Sequence, residues 1–453
     1  MATVTETPTA ITSLSDPRIK EKIQELRRVS NWTNVYFLCR TYLFLAAVIG
    51  GTIAFYVFND VSWWLNVPVT IVAIILVGAG QHQLTALAHE ASHHILFKNR
   101  YWNDLVSDWF CMFPLYSATQ HYRLQHIAHH QFVNDPDRDP DISQLQTSGH
   151  WLHFPVDRAT FLSKLLKQLW LPNLVRFIRI RAAYNAVGTD KNPYFKKGWK
   201  PNKTTVRAGI AYMLALIGVL AWCVANENLL LLALLPAAMY AAIMVFFRLL
   251  PETAYHQSRV HPVISMRTMS LMRVTYISLL FNGLAWLSLY VPYAPLYYLL
   301  LWVTPIFTSF SFFMILRQIV QHGNGGRGWL TNTRVFFVNR LISFAVFPLG
   351  QDYHLPHHLF ASVPHYRLKE LHEALLQCAE YRAAAVEVEG YFLPYERPAL
   401  KPTVLDVLGP KYNHRPDEIY IDNEVLEQER VEEKDEILRQ GDEEKRKHRE
   451  EFA

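Results

Sequence analysis

The chain has 453 residues, 51% of them hydrophobic, and a formal net charge of +5. Its basic residues crowd into a few segments between apolar stretches, a layout that argues against a nucleic-acid binder and for a membrane protein. Four scattered cysteines (Cys39, Cys111, Cys223, Cys378) without a C-x-x-C pair argue against a disulfide framework or a thiolate zinc site, and fit a reducing cytoplasm.

In chain order, the first thirty residues are polar, include DPRIKEKIQELRR and lack the early apolar core of a signal peptide. Two spans of roughly the 20 apolar residues that cross a bilayer follow, at 35–58 and 69–88, joined by the interfacial-looking NDVSWWLNVP. Residues 89–205 are mostly polar or amphipathic. Within them 105–118 is apolar but short, hence re-entrant or interfacial. Residues 161–181 alternate cations with Leu, Trp and Phe, as a helix lying on the membrane surface does. A second hairpin is expected at 206–225 and 229–250, and a third at 274–291 and 295–316. Residues 335–350 form another short apolar piece, and beyond 417 the tail is highly charged.

Clustered Lys and Arg in the N-terminal arm, the 89–205 and 251–273 loops and the 317–453 tail put all of these on one side, the cytoplasmic one. The expected fold is therefore an all-α integral membrane protein with about six transmembrane helices in three hairpins under a cytoplasmic helical cap. The expected divisions are a cytoplasmic arm (1–34), a membrane domain (35–375) and a cytoplasmic C-terminal extension (376–453).

Histidine boxes lie on that face: HEASHH at 89–94, HIAHH at 126–130 and HLPHH at 354–358. Helix residues at i, i+3 and i+4 share a face, so each box offers two or three imidazoles to one point. Eight ligands (His89, His93, His126, His129, His130, His354, His357, His358) are too many for one metal ion and suit two. Imidazole serves iron, zinc, copper and nickel. A ligating imidazole usually gives its other N–H to a partner such as a carboxylate, which makes Glu90, Asp135, Asp139 and Asp352 candidates. His94 and His121 stand beside ligands, and His82 lies inside the second span as a buried, hydrogen-bonded or channel-facing residue.

The set HxxxH, HxxHH and HxxHH, with HHQFVNDPDRDPDI and YHLPHHLFASVPHYRLKELH around it, resembles the membrane fatty-acid desaturase superfamily over about residues 80–375. The resemblance implies a non-haem centre of two iron ions, dioxygen as co-substrate and a lipid or acyl substrate. It also implies a ninth histidine some thirty residues before the last box, which is His322 in RQIVQHGN, with His256 the rival for that place. Many acyl desaturases carry an Asn four residues before that histidine, in water-mediated contact with iron; this chain has Gln318. The chemistry implied is attack on an unactivated C–H bond, with acyl-lipid desaturation ahead of hydroxylation or ketolation of a fatty, alkane-like or carotenoid chain. Arg123, Arg259 and Arg317 are placed to meet an acyl head group. With no HPGG stretch, iron–sulfur cysteine set or G-x-G-x-x-G present, electrons are expected from a separate ferredoxin- or cytochrome b5-like donor. HEASH also satisfies H-E-x-x-H, so a zinc metalloprotease using His89, His93 and Glu90 is a reading of a different class, although it leaves two boxes without a role. A transporter with incidental histidines is a third.

Overall fold

The computed structural model describes residues 11–58, 62–187 and 202–412, with Asn192 and Tyr194 between the last two stretches. The expectation of a charged tail past 417 lies outside the described residues. Helix α1 (Pro17–Leu26) begins where the Asp16 side chain accepts from Arg18 N and Pro17 takes the first position. Helices α2 (Asn31–Phe58) and α3 (Asn66–Ser92) follow. Both are apolar around most of their circumference, and much of that surface is left uncovered by protein (Leu43, Val57, Ile71 and Ile75 are exposed), which only a bilayer tolerates over this length.

The segment expected to be re-entrant completes α4 (Arg100–Ser107), then runs through a π-helical turn (Asp108–Met112) and a 3-10 turn (Phe113–Leu115). Cys111, Met112 and Phe113 are buried against the neighbouring helices. Next come α5 (Thr119–Gln131), α6 (Pro140–Ser148), α7 (Arg158–Gln168) and α8 (Leu171–Val187). The single surface helix expected over 161–181 is thus two helices. Pro172 lacks the N–H that a continuous helix would direct at the Gln168 carbonyl, and the chain breaks just before it. Leu166, Leu169, Trp170 and Leu171 are exposed at the break.

Helices α9 (Thr204–Ala225), α10 (Leu229–Leu249) and α11 (Met266–Ser288) pack on one another. The final long run comprises α12 (Ala294–Tyr298), a π-helical turn (Leu299–Val303), α13 (Thr304–Phe307) and α14 (Ser309–His322). Among the described residues, five helical runs are long and apolar enough to cross a membrane: Asn31–Phe58, Trp63–Ser92, Thr204–Ala225, Leu229–Leu249 and Ala294–His322. Of the six expected spans, the one at 274–291 is not among these five runs. Helix α11 stands there, but Arg267, Arg273 and its Ser, Thr and Asn side chains leave it less apolar than the others.

Two features fix α3 against its neighbours. A Cβ at Gly78 would collide with Ser309 Oγ and come within 2.7 Å of Phe310 N, so only glycine lets α14 approach this closely. Three consecutive polar side chains then take carbonyls that irregular backbone leaves over: Gln81 Nε2 donates to Trp302 O, His82 Nδ1 to Ala345 O and Gln83 Nε2 to Phe344 O, each at 2.7 Å. His82 is therefore a buried structural donor.

After α14 come the short helices α15 (Arg340–Ala345), α16 (His354–Leu359), α17 (Leu368–Leu375), α18 (Ala379–Ala384) and α19 (Val404–Leu408). Strands β1 (Val335–Phe337) and β2 (Glu387–Glu389) pair in parallel, with Val335 opposite Glu387. Phe336, Phe347, Val388, Tyr391, Val404 and Leu408 share one core with Met314 and Ile315 of α14 and Phe177 of α8. Packing therefore runs across the expected division at residue 375 and continues to α19.

Candidate metal centre

Nine histidines converge where α3, α5, α14 and α16 meet. His89, His93, His126, His130 and His357 form one group, and His129, His322, His354 and His358 the other. Within each group the candidate ligand atoms lie within 4.8 Å of one another. The boxes do not each serve one point, as the spacing alone suggested. On α5, His126 and His130 enter the first group and His129 the second. On α16, His354 and His358 enter the second and His357 the first. Successive helix residues are turned by about 100°, so i and i+4 stay roughly aligned while i+3 diverges from i+4. Each of these boxes thus bridges both groups. His256, the rival ninth histidine, lies in neither; its ring is 5.2 Å from that of His121.

The nitrogen geometry fits metal ions. In the first group adjacent Nε2 atoms are 2.9 Å (His93–His126), 3.0 Å (His126–His130) and 3.1 Å (His130–His357) apart. In the second they are 3.1 Å (His129–His322), 2.9 Å (His322–His354) and 3.1 Å (His354–His358) apart. Two nitrogens about 2.1 Å from one ion and at right angles stand about 3.0 Å apart. The partners of the far ring nitrogens point the same way. His322 Nδ1 lies 3.0 Å from the Asn332 carbonyl, which can only accept, so Nδ1 carries the hydrogen and Nε2 is left with its lone pair. His129 Nδ1 donates to both oxygens of Asp139, at 3.0 and 3.1 Å. Two such Nε2 atoms face each other across 3.1 Å and require a cation, proton or metal, between them. His89 Nε2 is buried and takes no hydrogen bond from protein.

Charge in the group follows from burial. Desolvation, then neighbouring imidazoles, hold His126, His130, His354, His357 and His358 well below the ordinary 6.5, and His93 at about 3. These rings are neutral and fit to ligate. His129 differs: burial opposes its charge, but the carboxylates of Asp139 and Asp141 outweigh that and push it up to about 9.

The carboxylate candidates separate. Asp139 holds His129 and also caps α6 by accepting from Asp141 N. Asp135 instead pairs with Arg138 at 2.6 Å and accepts from two backbone amides of its own turn. Asp352 reaches Ser343 Oγ at 3.3 Å rather than a histidine of either group, and burial pushes its carboxyl up to about 6. Glu90 Oε2 accepts from His365 N at 2.8 Å and lies 3.2 Å from His365 Nδ1, while Oε1 is 3.5 Å from His89 Nδ1. A protease base would need a free carboxylate facing a metal-bound water, and Glu90 is engaged elsewhere. Gln318 Oε1 is buried without a protein partner, and Gln318 lines a cavity of about 30 Å³ together with His89, His126, His129 and His354. That is room for about two water-sized molecules.

Three partners escaped the sequence. Gln351 Nε2 is 3.1 Å from His89 Nδ1, next to the Asp352 that drew attention instead. His365 stood in a quoted stretch without a role. Asn332 acts through its backbone carbonyl, for which no side-chain signal exists. Arg123 is corrected. It is fully buried and binds Asp104 Oδ2 at 2.8 Å, Gln120 Oε1 at 2.8 Å and the carbonyls of Ala91 and Ser92, so it clamps α5 to the end of α3 and meets no head group. His94 belongs to the same network, 3.4 Å from Arg123. Arg259 is exposed, and Arg317 lines the small cavity.

Comparison with known proteins gives a consistent picture. The model of the fatty acid desaturase family matches residues 62–284 and 261–388. A dihydrorhizobitoxine desaturase of Bradyrhizobium elkanii is 33% identical over 144 residues, 32% of this chain and 38% of that protein. The delta(5) fatty acid desaturase fat-4 of Caenorhabditis elegans is 32% identical over 123 residues, 23% of this chain and 27% of that protein. A delta(8)-fatty-acid desaturase of Euglena gracilis is 34% identical over 97 residues, 21% of this chain and 23% of that protein. The chain matches less than two fifths of the length of each.

Proposed function

From the premise that this chain belongs to the fatty acid desaturase family, we propose that it is a membrane-bound di-iron desaturase acting with dioxygen on a long-chain acyl lipid. The observation that carries the reading is the sorting of nine imidazoles into groups of five and four with right-angle nitrogen spacing. His89, His93, His126, His130 and His357 would hold one iron, and His129, His322, His354 and His358 the other. Bound there, two irons supply the reduction of dioxygen and the removal of hydrogen from an unactivated C–H bond.

The protein's own part is orientation, exclusion of water and placement of the chain. Asp139 and the Asn332 carbonyl fix ring orientation by accepting from the nitrogens that do not ligate. Gln318 and the small cavity leave room for a dioxygen-sized molecule beside both groups. A second cavity, of about 1270 Å³ and mostly apolar, runs along α9, α11 and α13 and meets the small one at Tyr122, Arg181 and Asn185. The Tyr122 ring stacks on His126 with centroids 5.4 Å apart. An acyl chain in the large cavity therefore passes one aromatic ring away from the first group. The active site faces the cytoplasm, and electrons come from a separate ferredoxin- or cytochrome b5-like donor. In this reading, 1–34 is a cytoplasmic arm, 35–375 the membrane domain and 376–453 a cytoplasmic extension whose first part packs on the cap.

The test is product analysis. Iron-loaded protein in liposomes, with a reducing couple and a chain-deuterated acyl lipid, should yield product lighter by two deuterium atoms. A product that instead gains oxygen would replace desaturation with hydroxylation.

A further inference from the structure

The wall of the large cavity carries a cation that this chemistry leaves unused. Arg273 stands two turns into α11, lines the cavity and donates from Nη2 to the Tyr116 carbonyl at 3.0 Å. Among the described residues it makes no ion pair, whereas Arg267 on the same helix reaches Glu252 at 3.1 Å. Asp108 is the acid whose charge bears on Arg273, but it makes no ion pair with it and its Oδ1 instead accepts from Thr119 N at 2.7 Å. His121 and His256 line the same cavity; burial, then His256 and Arg273, hold His121 well below its ordinary value, so it stays uncharged. A half-buried guanidinium with five donors and one carbonyl partner is costly unless an anion joins it.

Two further observations select the anion. Ile210, Leu299 and Phe307 line the cavity and are themselves exposed on helical runs long and apolar enough to cross a membrane, which opens the cavity sideways toward the bilayer. The volume exceeds the roughly 300–1,000 Å³ of ordinary small-ligand pockets, and Arg179 and Lys203 add positive charge to its lining. We propose that Arg273 anchors the phosphate of a membrane phospholipid whose acyl chain runs past Tyr122. This inference rests on the reading of the cavity as the acyl site.

Native mass spectrometry of the detergent-purified full chain tests it without turnover. Dioleoylphosphatidylglycerol should be retained about tenfold better than dioleoylglycerol, which has the same chains and no phosphate. Arg273→Gln should bring the two lipids level and Arg273→Lys should keep part of the preference. Equal retention of both lipids by the unaltered protein overturns the anchor while leaving the cavity as an acyl site. Stronger retention of oleic acid than of the phospholipid overturns the phosphate in favour of a free carboxylate. Retention of no lipid overturns the anchor and the acyl site together. If Arg273→Gln fails to fold, Arg273→Lys decides: an unchanged preference for the phospholipid overturns the anchor, and a partial loss supports it.

Discussion

Asp139 grips His129 Nδ1 with both oxygens, whereas Asp135, four residues earlier, faces Arg138 and its own turn. The sequence offers the two as equals, in one Pro-Asp loop, because spacing says nothing about which carboxylate turns inward. Partners of metal-bound imidazoles typically contribute 10–100-fold in metal affinity. Asp139→Asn should therefore weaken metal binding in the second group by roughly that factor, while Asp135→Asn leaves it unchanged. Metal titration of the two purified variants checks this, and equal losses would contradict it. The histidines themselves were legible, since i, i+3 and i+4 spacing is a local property of a helix. Their division between two groups was not, because it depends on how α5 and α16 face each other.

At the scale of elements, the crossing of α3 and α14 carries His89 and His322 toward the centre, and Gly78 permits it. Gly78→Val should force the helices apart, lower stability by about 1–3 kcal/mol and reduce bound metal. Thermal melting and metal content of the variant in detergent would show both, and a variant with unaltered melting and metal would refute the role given to this crossing. Long apolar helices were readable from composition, because lipid asks only for length and apolarity. Helix α11 is less apolar because its polar side chains meet protein: Ser278 bonds Tyr212 of α9, Thr275 bonds Tyr240 of α10 and Arg273 lines the cavity. The break between α7 and α8 turned on a single residue, Pro172, inside an otherwise helical pattern.

At the scale of the whole molecule, a cluster of buried neutral imidazoles makes the metal-free protein acid-sensitive. A histidine with a depressed folded pKa stays neutral in the fold, while the unfolded chain takes up a proton below 6.5. Its stabilising effect is intact above that pH and is lost as pH falls toward the folded value, about 3 for His93. Each such residue contributes up to about 1.4 kcal/mol per pH unit. His129 has the opposite sign: raised to about 9, its contribution is present below 6.5 and fades as pH climbs through 9. With most of the buried rings depressed and His129 raised, the melting temperature of metal-free protein should fall clearly between pH 7.5 and 5.5, and a flat profile would contradict the burial described. Metal content of detergent-purified protein reads out whether the nine histidines hold two irons. About two irons per chain, reduced in His126→Ala and in His357→Ala, is the expected result. One zinc per chain, indifferent to those changes and lost in His93→Ala, would contradict it.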